Sequence, residues 1–415
     1  MRRFACLVGL LVLLPGLALF AAPVKFSFWH IGTSPADRAY WQGLADQYQK
    51  MNPNVTIDVT VLENEAFKSK VTTLMQSGNP PDVFHSWGGG VMAEYAKAGL
   101  LRDITREVKS WGKLMAPGVL GVYASNGKQY GVPFDMGAVV FWYNKDILAK
   151  AGYRTFPTTW SDLLKLVGKL KGTGIVPIAL GGGDKWPSHF YWTYLAVRLG
   201  GKAAFDGVLS GKGSFNDASF VKAGQMLLDL SKLGPFQEGF LAATYNDQAA
   251  LMGNGKAAIE LMGQWAPAVE ASNAADKKGI GATLAMAPFP SVAGGAGAPS
   301  DVLGGGNGYA VGKSAPDAAV DFLKFITNRE NNAALAATGE IIPTAIGADA
   351  ALKDPQMKLV KGVVDKAGYY QLYLDQFFAP AVGGAINDGV QQILAGALTP
   401  AQAAASIQTT FEANK

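Results

Sequence analysis

The sequence predicts an α/β protein built as two lobes, and three observations carry that reading. Residues 24–86 alternate strand, helix, strand, helix, strand. A second series of the same kind begins beyond Pro133. The chain has 415 residues, 49% hydrophobic and only 16% charged, whereas single cores stop growing at roughly 250 to 300 residues. That composition excludes a disordered or fibrous chain.

Each element has its own signal. Val24, Phe26 and Phe28 alternate with Lys25 and Ser27, the period of a strand. Ser34-Pro35 reads as a helix cap followed by proline in the first turn, and Trp41, Leu44, Ala45 and Tyr48 recur at helical spacing until Asn52-Pro53. Val55, Ile57, Val59 and Val61 alternate again. Phe67, Val71, Leu74 and Met75 mark a second helix, with Gly78 as its stop, and residues 82–86 a short apolar strand. This order requires parallel pairing with right-handed crossovers.

In the second series, residues 137–143 are a dense β-type run, Thr159 caps a helix carrying Leu163, Leu164, Val167 and Leu170, and residues 175–180 form another strand. Residues 291–308, rich in Gly, Ala and Ser, read as a segment crossing back toward a short strand at 309–311. A closing helix starts at Thr399-Pro400. No internal repeat of fixed period is present.

The N-terminus carries Arg2 and Arg3, an apolar stretch from Leu7 to Leu14, and Pro15-Gly16 before small residues, the pattern of a secretory signal peptide. Cleavage is expected after Ala21, with Ala18 as the alternative, so residues 1–21 are assigned to the signal. The apolar core is shorter than the ~20 residues that span a bilayer. The sole cysteine, Cys6, precedes that core, so no lipid-anchor cysteine follows it, and disulfides, Cys-rich metal sites and a thiol nucleophile are excluded from the mature chain. Basic residues exceed acidic ones by only four, with no Lys/Arg-rich run, which argues against a nucleic-acid partner. The expectation is a soluble, exported monomer.

Ligands of open parallel sheets sit beyond the carboxyl ends of the strands. Five such ends read Trp29-His30, Glu63-Asn64-Glu65, a 85–90 stretch containing Trp87 and Gly88, a 181–186 stretch ending in Trp186, and Gln264-Trp265. Tryptophan occurs at four of the five. Core packing accounts for Trp41, Trp111, Trp142 and Trp160, whereas Trp87, among polar residues and three glycines, reads as a ligand surface. Indole faces beside Asp, Glu, Asn and Gln suit a sugar, with apolar C–H faces and a hydroxyl rim. Glycines 88–90 and 304–306 would let backbone N–H groups approach such a ligand, or serve only as turns. Neither glycine run has the spacing of a nucleotide loop. The three histidines, His30, His85 and His189, lack metal-ligand spacing, and no Gly-x-Ser-x-Gly elbow occurs. No cofactor is called for. Glu65, Asp135, Glu260 and Asp375 could in principle supply paired carboxylates for glycoside cleavage.

Several stretches, in order along the chain, resemble extracellular solute-binding proteins of ABC-type sugar importers: FWHIG at 28–32, NPNVTIDV at 52–59, SGNPPDVFHSWGGG at 77–90, YGVPFDMGAVVFWYNKDIL at 130–148, PTTWSDL at 157–163, GKAAIELMGQW at 255–265 and GGGNGYAV at 304–311. The resemblance implies the two-lobed periplasmic-binding-protein fold, α/β, with a ligand cleft between lobes joined by crossing strands. The lobes would be 22–133 with 303–346, and 134–302 with 347–415. It implies capture of an oligosaccharide without catalysis and delivery to membrane permease subunits, from the periplasm. Carried over by position, the ligand-facing residues are His30, Glu65, Trp87, Gly88, Asp135, Trp186, Trp265, Asn307 and Asp375. The segment 371–396 resembles members that bind xylo-oligosaccharides or raffinose-type sugars. Two alternatives stay open, an exported carbohydrate-cleaving enzyme and a binder of cationic peptides or polyamines.

Overall fold

The computed structural model describes residues 22–415, so the signal assigned to 1–21 lies outside the described residues. The early elements start and stop as their residues dictate. Ser34 caps the helix Pro35–Met51 by accepting from the Asp37 amide, and Trp41, Leu44, Ala45 and Tyr48 face inward. The helix Asn64–Gln76 buries Phe67, Val71 and Met75, and the chain reverses at Gly78, whose φ of 75° favours glycine. Thr159 caps Trp160–Leu170, and Thr399 forms a capping box on Pro400–Ala413.

The strands, in chain order, are β1 (Val24–His30), β2 (Val55–Val61), β3 (Val83–Ser86), β4 (Ala124–Ser125), β5 (Lys128–Gln129) and β6 (Gly131–Ala138). They continue with β7 (Val140–Asn144), β8 (Val176–Ile178), β9 (Ala257–Met262), β10 (Leu284–Ala287), β11 (Val302–Val311) and β12 (Tyr370–Leu372). The larger sheet has the order β12-β11-β3-β1-β2, with β6 also paired to β11. Within it β1 lies parallel to β2 and β3, and β11 runs antiparallel to β3 and β6. The smaller sheet has the order β10-β7-β9-β8, and β4 and β5 form a separate hairpin.

Two expectations change at the crossings. The dense run 137–143 is not one strand: Val139 separates β6 in the larger sheet from β7 in the smaller. The break is fixed by hydrogen bonds, the Val139 amide to Leu303 O at 2.8 Å and the Tyr194 hydroxyl to Val139 O at 2.6 Å. The glycine-rich run 304–308 is not a loop but the middle of β11. Tyr370 and Tyr373 fill the space side chains would take there, since a Cβ on Gly304 would lie 2.3 Å from the Tyr370 hydroxyl and one on Gly305 2.1 Å from the Tyr373 ring. The 133/134 boundary falls inside β6, and β12, within 347–415, pairs with β11 of the larger sheet.

Each sheet has its own apolar core. Phe28, Trp41, Tyr309 and Phe322 meet edge to face in one, with Phe28 centroids 5.0 to 6.0 Å from the others. The other gathers Phe141, Trp142, Trp160, Tyr194 and Phe289, and extends to Met357, Val382, Val390 and Phe411 from the C-terminal helices. Trp160 stacks on Phe289 at 5.6 Å and is 5% exposed, the core role expected of it. Arg198, on the long helix Trp186–Ser210, is buried and donates to the carbonyls of Phe289, Pro290, Pro299 and Asp301 at 2.8 to 3.1 Å. One guanidinium therefore satisfies four carbonyls of the crossing segment and locks it onto the second core.

Candidate functional site

A cavity of about 220 Å³ opens where the strand ends of the two sheets face each other. From the larger sheet come Ile31, Gly32 and Thr33 beyond β1, Glu63 and Asn64 beyond β2, and His85 and Trp87 at the end of β3. These are the carboxyl ends of parallel strands, where ligand sites of open α/β sheets form. From the smaller sheet and its helices come Trp186, Phe190, Tyr245 and Trp265. Phe134 and Asp135 on β6 and Asn307 and Tyr309 on β11 make the floor.

The structure brings six of the nine predicted residues onto this wall: Trp87, Asp135, Trp186, Trp265, Asn307 and Asp375. Trp186 opens its helix after Lys185, whose φ of 66° is rare for a residue with a side chain; that turn sets the indole against Tyr245 and Trp265, at 5.1 and 6.4 Å between centroids. The Trp186 indole N–H is buried and unpartnered. Trp265 in turn meets Tyr373 at 6.1 Å. Trp87 packs edge to face on His85 at 4.7 Å.

The other three lie off the cavity wall. His30 is 1% exposed, its Nδ1 accepts from the Gly32 amide at 3.2 Å, and its ring is packed between Phe28 and Trp41; the chain beyond it, Ile31 to Thr33, lines the cavity instead. Glu65 is exposed and accepts from Asn64 and Lys68 at 2.8 and 3.0 Å, so it orients two lining residues. Gly88 has φ 68°, and a Cβ there would lie 2.5 Å from Val122 O. Glycines 89 and 90 are pressed in the same way against carbonyls of Gln376, Phe377 and Phe378. Together with Gly304 and Gly305, covered by Tyr370 and Tyr373, and Gly306, where a Cβ would lie 2.9 Å from Asp135 O, this overturns the expectation of backbone left open for a ligand. The glycines admit close packing of protein on protein.

Asp135 is the most tied residue of the floor. Its Oδ2 accepts from Gln264 Nε2 at 2.6 Å and Asn307 Nδ2 at 2.7 Å, and its Oδ1 from the Ile342 amide at 2.9 Å. Gln264 follows β9, so this carboxylate clasps the smaller sheet to both crossing strands. A Cβ on Gly137 would lie 1.9 Å from Gln264 Oε1, so only glycine leaves room for the clasp. Burial pushes Asp135 from 3.8 up to about 6, against the three donors that favour the charged form. Burial also lowers His85 to about 3 and His30 to about 4, so both imidazoles are neutral near pH 7.

Sequence reasoning missed Lys68, Tyr245, Tyr373, Asp37 and Glu340. The Lys68 ammonium lies 5.4 Å from the Trp87 ring and 5.8 Å from the Trp186 ring, and 4.0 Å from Asp375 Oδ2. Its spacing of three from Glu65 on a helix was a usable signal. Glu340 stands in an irregular segment with no pattern to mark it. Behind the wall Glu260 and Glu270 are fully buried and raised by that burial, with Gln248 donating to Glu260 at 2.8 Å. Among the described residues no cluster of three or more metal-ligating side chains occurs, and no helix is long and apolar enough to cross a membrane.

Two α/β lobes with a cavity walled by the strand ends of both are the architecture of a two-lobed solute-binding protein. The family model for bacterial extracellular solute-binding proteins matches residues 32–333, and the chain belongs to that family. An ABC transporter extracellular-binding protein of Pyrococcus horikoshii is 30% identical over 58% of this chain and 56% of its own length. The chain spans about half the length of curated relatives such as this one. The diacetylchitobiose binding protein DasA of Streptomyces coelicolor is 27% identical, over 75% of this chain and 71% of that protein. Among solved structures, one from work on xylan utilisation by a thermophilic Caldanaerobius polysaccharolyticus superposes with a TM-score of 0.86 at 27% identity, covering 93% of this chain and 99% of that one. A chitin oligosaccharide binding protein superposes with a TM-score of 0.85 at 25% identity, over 94% and 99%.

Proposed function

We propose that this protein captures an oligosaccharide in the cleft between its lobes and delivers it, uncleaved, to the permease of an ABC-type importer. The observation that carries the reading is the pairing of aromatic faces across one cavity, Trp87 from the larger sheet opposite Trp186 and Trp265 from the other side. Sugar rings stack on such faces while the polar rim takes their hydroxyls. Relatives named for diacetylchitobiose and chitin oligosaccharides, and the neighbour from xylan utilisation, support the ligand class.

Binding without cleavage fits the carboxylates. Of the four candidates, Glu65 and Glu260 are off the wall, and Asp135 spends both oxygens on protein donors. Asp375 lines the cavity with its side chain 9% exposed. The lobes in this reading are 22–133 with 303–346 and 134–302 with 347–415, the latter supported by the C-terminal side chains in the second core. The protein is exported by residues 1–21 and acts as a free periplasmic monomer with the sugar-binding residues Trp87, Trp186, Trp265, Asn307 and Asp375.

A thermal-shift screen with xylan-type and chitin-type oligosaccharides tests the proposal, because a ligand that binds only the folded state raises the melting temperature. The expected result is a shift with at least one oligosaccharide, recovered unchanged after long incubation. No shift across the panel, or shortened sugar, overturns it.

A further inference from the structure

One cation reaches both walls of the cavity. Lys68, on the helix Asn64–Gln76, is the only Lys or Arg among the described residues that line it. Its ammonium lies 5.4 Å from the Trp87 ring, on the side of the larger sheet, and 5.8 Å from the Trp186 ring on the other. Glu65, one turn earlier, accepts from Lys68 at 3.0 Å and from Asn64 at 2.8 Å, so this exposed carboxylate holds the ammonium beside the indoles. That is the ammonium's one hydrogen bond among the described residues, which leaves two of its three N–H groups for another partner. Asp375 stands across the gap, its Oδ2 4.0 Å from Lys68 Nζ. Gln376 Nε2 donates to that oxygen at 3.2 Å, and His189 Nε2 stands off at 3.9 Å from Oδ1. The Lys68 side chain is 26% exposed and that of Asp375 9%, and both line the cavity, so a ligand there can touch them.

We propose that Lys68 and Asp375 form a hydroxyl-reading pair that selects an uncharged sugar ring between Trp87 and Trp186. The inference rests on the sugar-binding reading above. At 4.0 Å the two charged atoms are too far apart to hydrogen-bond to each other, and close enough for one hydroxyl oxygen to sit at about 2.8 Å from both. Such a hydroxyl accepts from the ammonium and donates to the carboxylate, so it uses both of its roles in charge-assisted bonds. The second free N–H of Lys68 reaches a neighbouring hydroxyl of the same ring. Opposite charges at this spacing select against a charged ligand of either sign. A sugar ammonium would meet Lys68 and a uronate would meet Asp375, each a like charge at short range in a partly desolvated site. Because the ammonium touches an indole from each side, the sugar that bridges it to Asp375 also ties the two walls together.

Calorimetric titration of the whole mature protein with trimers of equal length decides it. The neutral probes are xylotriose, cellotriose and triacetylchitotriose; the charged ones are the glucosamine trimer, at about pH 6 where its amines are protonated, and a glucuronic acid trimer. The best neutral trimer is expected to bind about tenfold or more tighter than either charged one. Lys68→Met keeps the length of the stem and removes the donors and the charge. It should weaken the neutral trimer about 10- to 100-fold and narrow its advantage over the glucosamine trimer. Asp375→Asn should instead narrow the advantage over the glucuronate. These opposite changes of ratio are what a packing role would not produce, and Lys68→Gln and Asp375→Ser repeat the test if either variant fails to fold. A charged trimer that binds as tightly as the best neutral one, parent-like binding by Lys68→Met, or loss of affinity with both ratios unchanged overturns the pair while leaving the sugar-binding reading intact. Silence of all five trimers overturns the pair and the sugar reading together.

Discussion

Replacing Asp135 by Asn tests the clasp at the floor of the cleft. In the parent, burial raises this carboxyl from 3.8 to about 6 despite three protein donors. A group whose folded pKa lies above its unfolded value contributes stability below the unfolded pKa and loses it as pH rises through the folded one. Between about pH 4 and pH 6 the parent should therefore lose roughly 3 kcal/mol at this one residue, about two pK units at 1.36 kcal/mol each. Asn has no charge to desolvate. It can keep the Ile342 amide on its oxygen and turn its NH2 to the oxygens of Gln264 and Asn307 if those amides flip; Gln264 Oε1 is unpartnered and free to take that role. Urea denaturation of both proteins from about pH 4 to pH 7 measures the difference. The variant should gain on the parent by about 2 to 3 kcal/mol across that range. A stability difference that does not change with pH would refute the argument, because it would mean that Asp135 titrates in its ordinary range.

The aromatic walls and the packing behind them give three further expectations. Trp265→Ala and Trp87→Ala should each weaken sugar binding by about 1 to 3 kcal/mol, roughly one to two decades, in calorimetric titration; Trp160→Ala, stacked on Phe289 in the core, should instead cost about 3 to 5 kcal/mol of stability by urea titration. Gly305→Ala drives a Cβ to 2.1 Å from the Tyr373 ring, so it should cost about 1 to 3 kcal/mol by the same assay. For the buried pair Glu260 and Glu270, both raised by burial, Glu270→Gln should flatten the loss of stability as pH rises above the ordinary carboxylate range, which denaturation against pH will show.

Much of the fold was legible because its signals are local. Ser34-Pro35, Thr159 and Thr399-Pro400 mark helix starts through their own side chains, and the alternation in β1 and β2 needs no partner to be read. The crossings were not. Val139 breaks a continuous apolar run because Leu303 and Tyr194, 164 and 55 residues away, take its backbone groups. Gly304 and Gly305 look like a loop until Tyr370 and Tyr373 are placed on them.

The site divides in the same way. Trp87, Trp186 and Trp265 could be picked out because each follows a strand end among polar or glycine residues. His30 carried that signal too, yet strand alternation turns it inward, onto Phe28 and Trp41, and the wall begins one residue later. Asp37 and Glu340 line one cavity from positions roughly three hundred residues apart in the chain, an arrangement that only the tertiary fold creates.

The central claim is that one sugar is held by both lobes at once. A crystal structure of the protein with an oligosaccharide that raises its melting temperature measures this directly. The account predicts sugar rings in the cavity, in contact with Trp87 on one side and with Trp186 or Trp265 on the other. A ligand bound outside that cavity, or resting on the residues of one sheet alone, would contradict it.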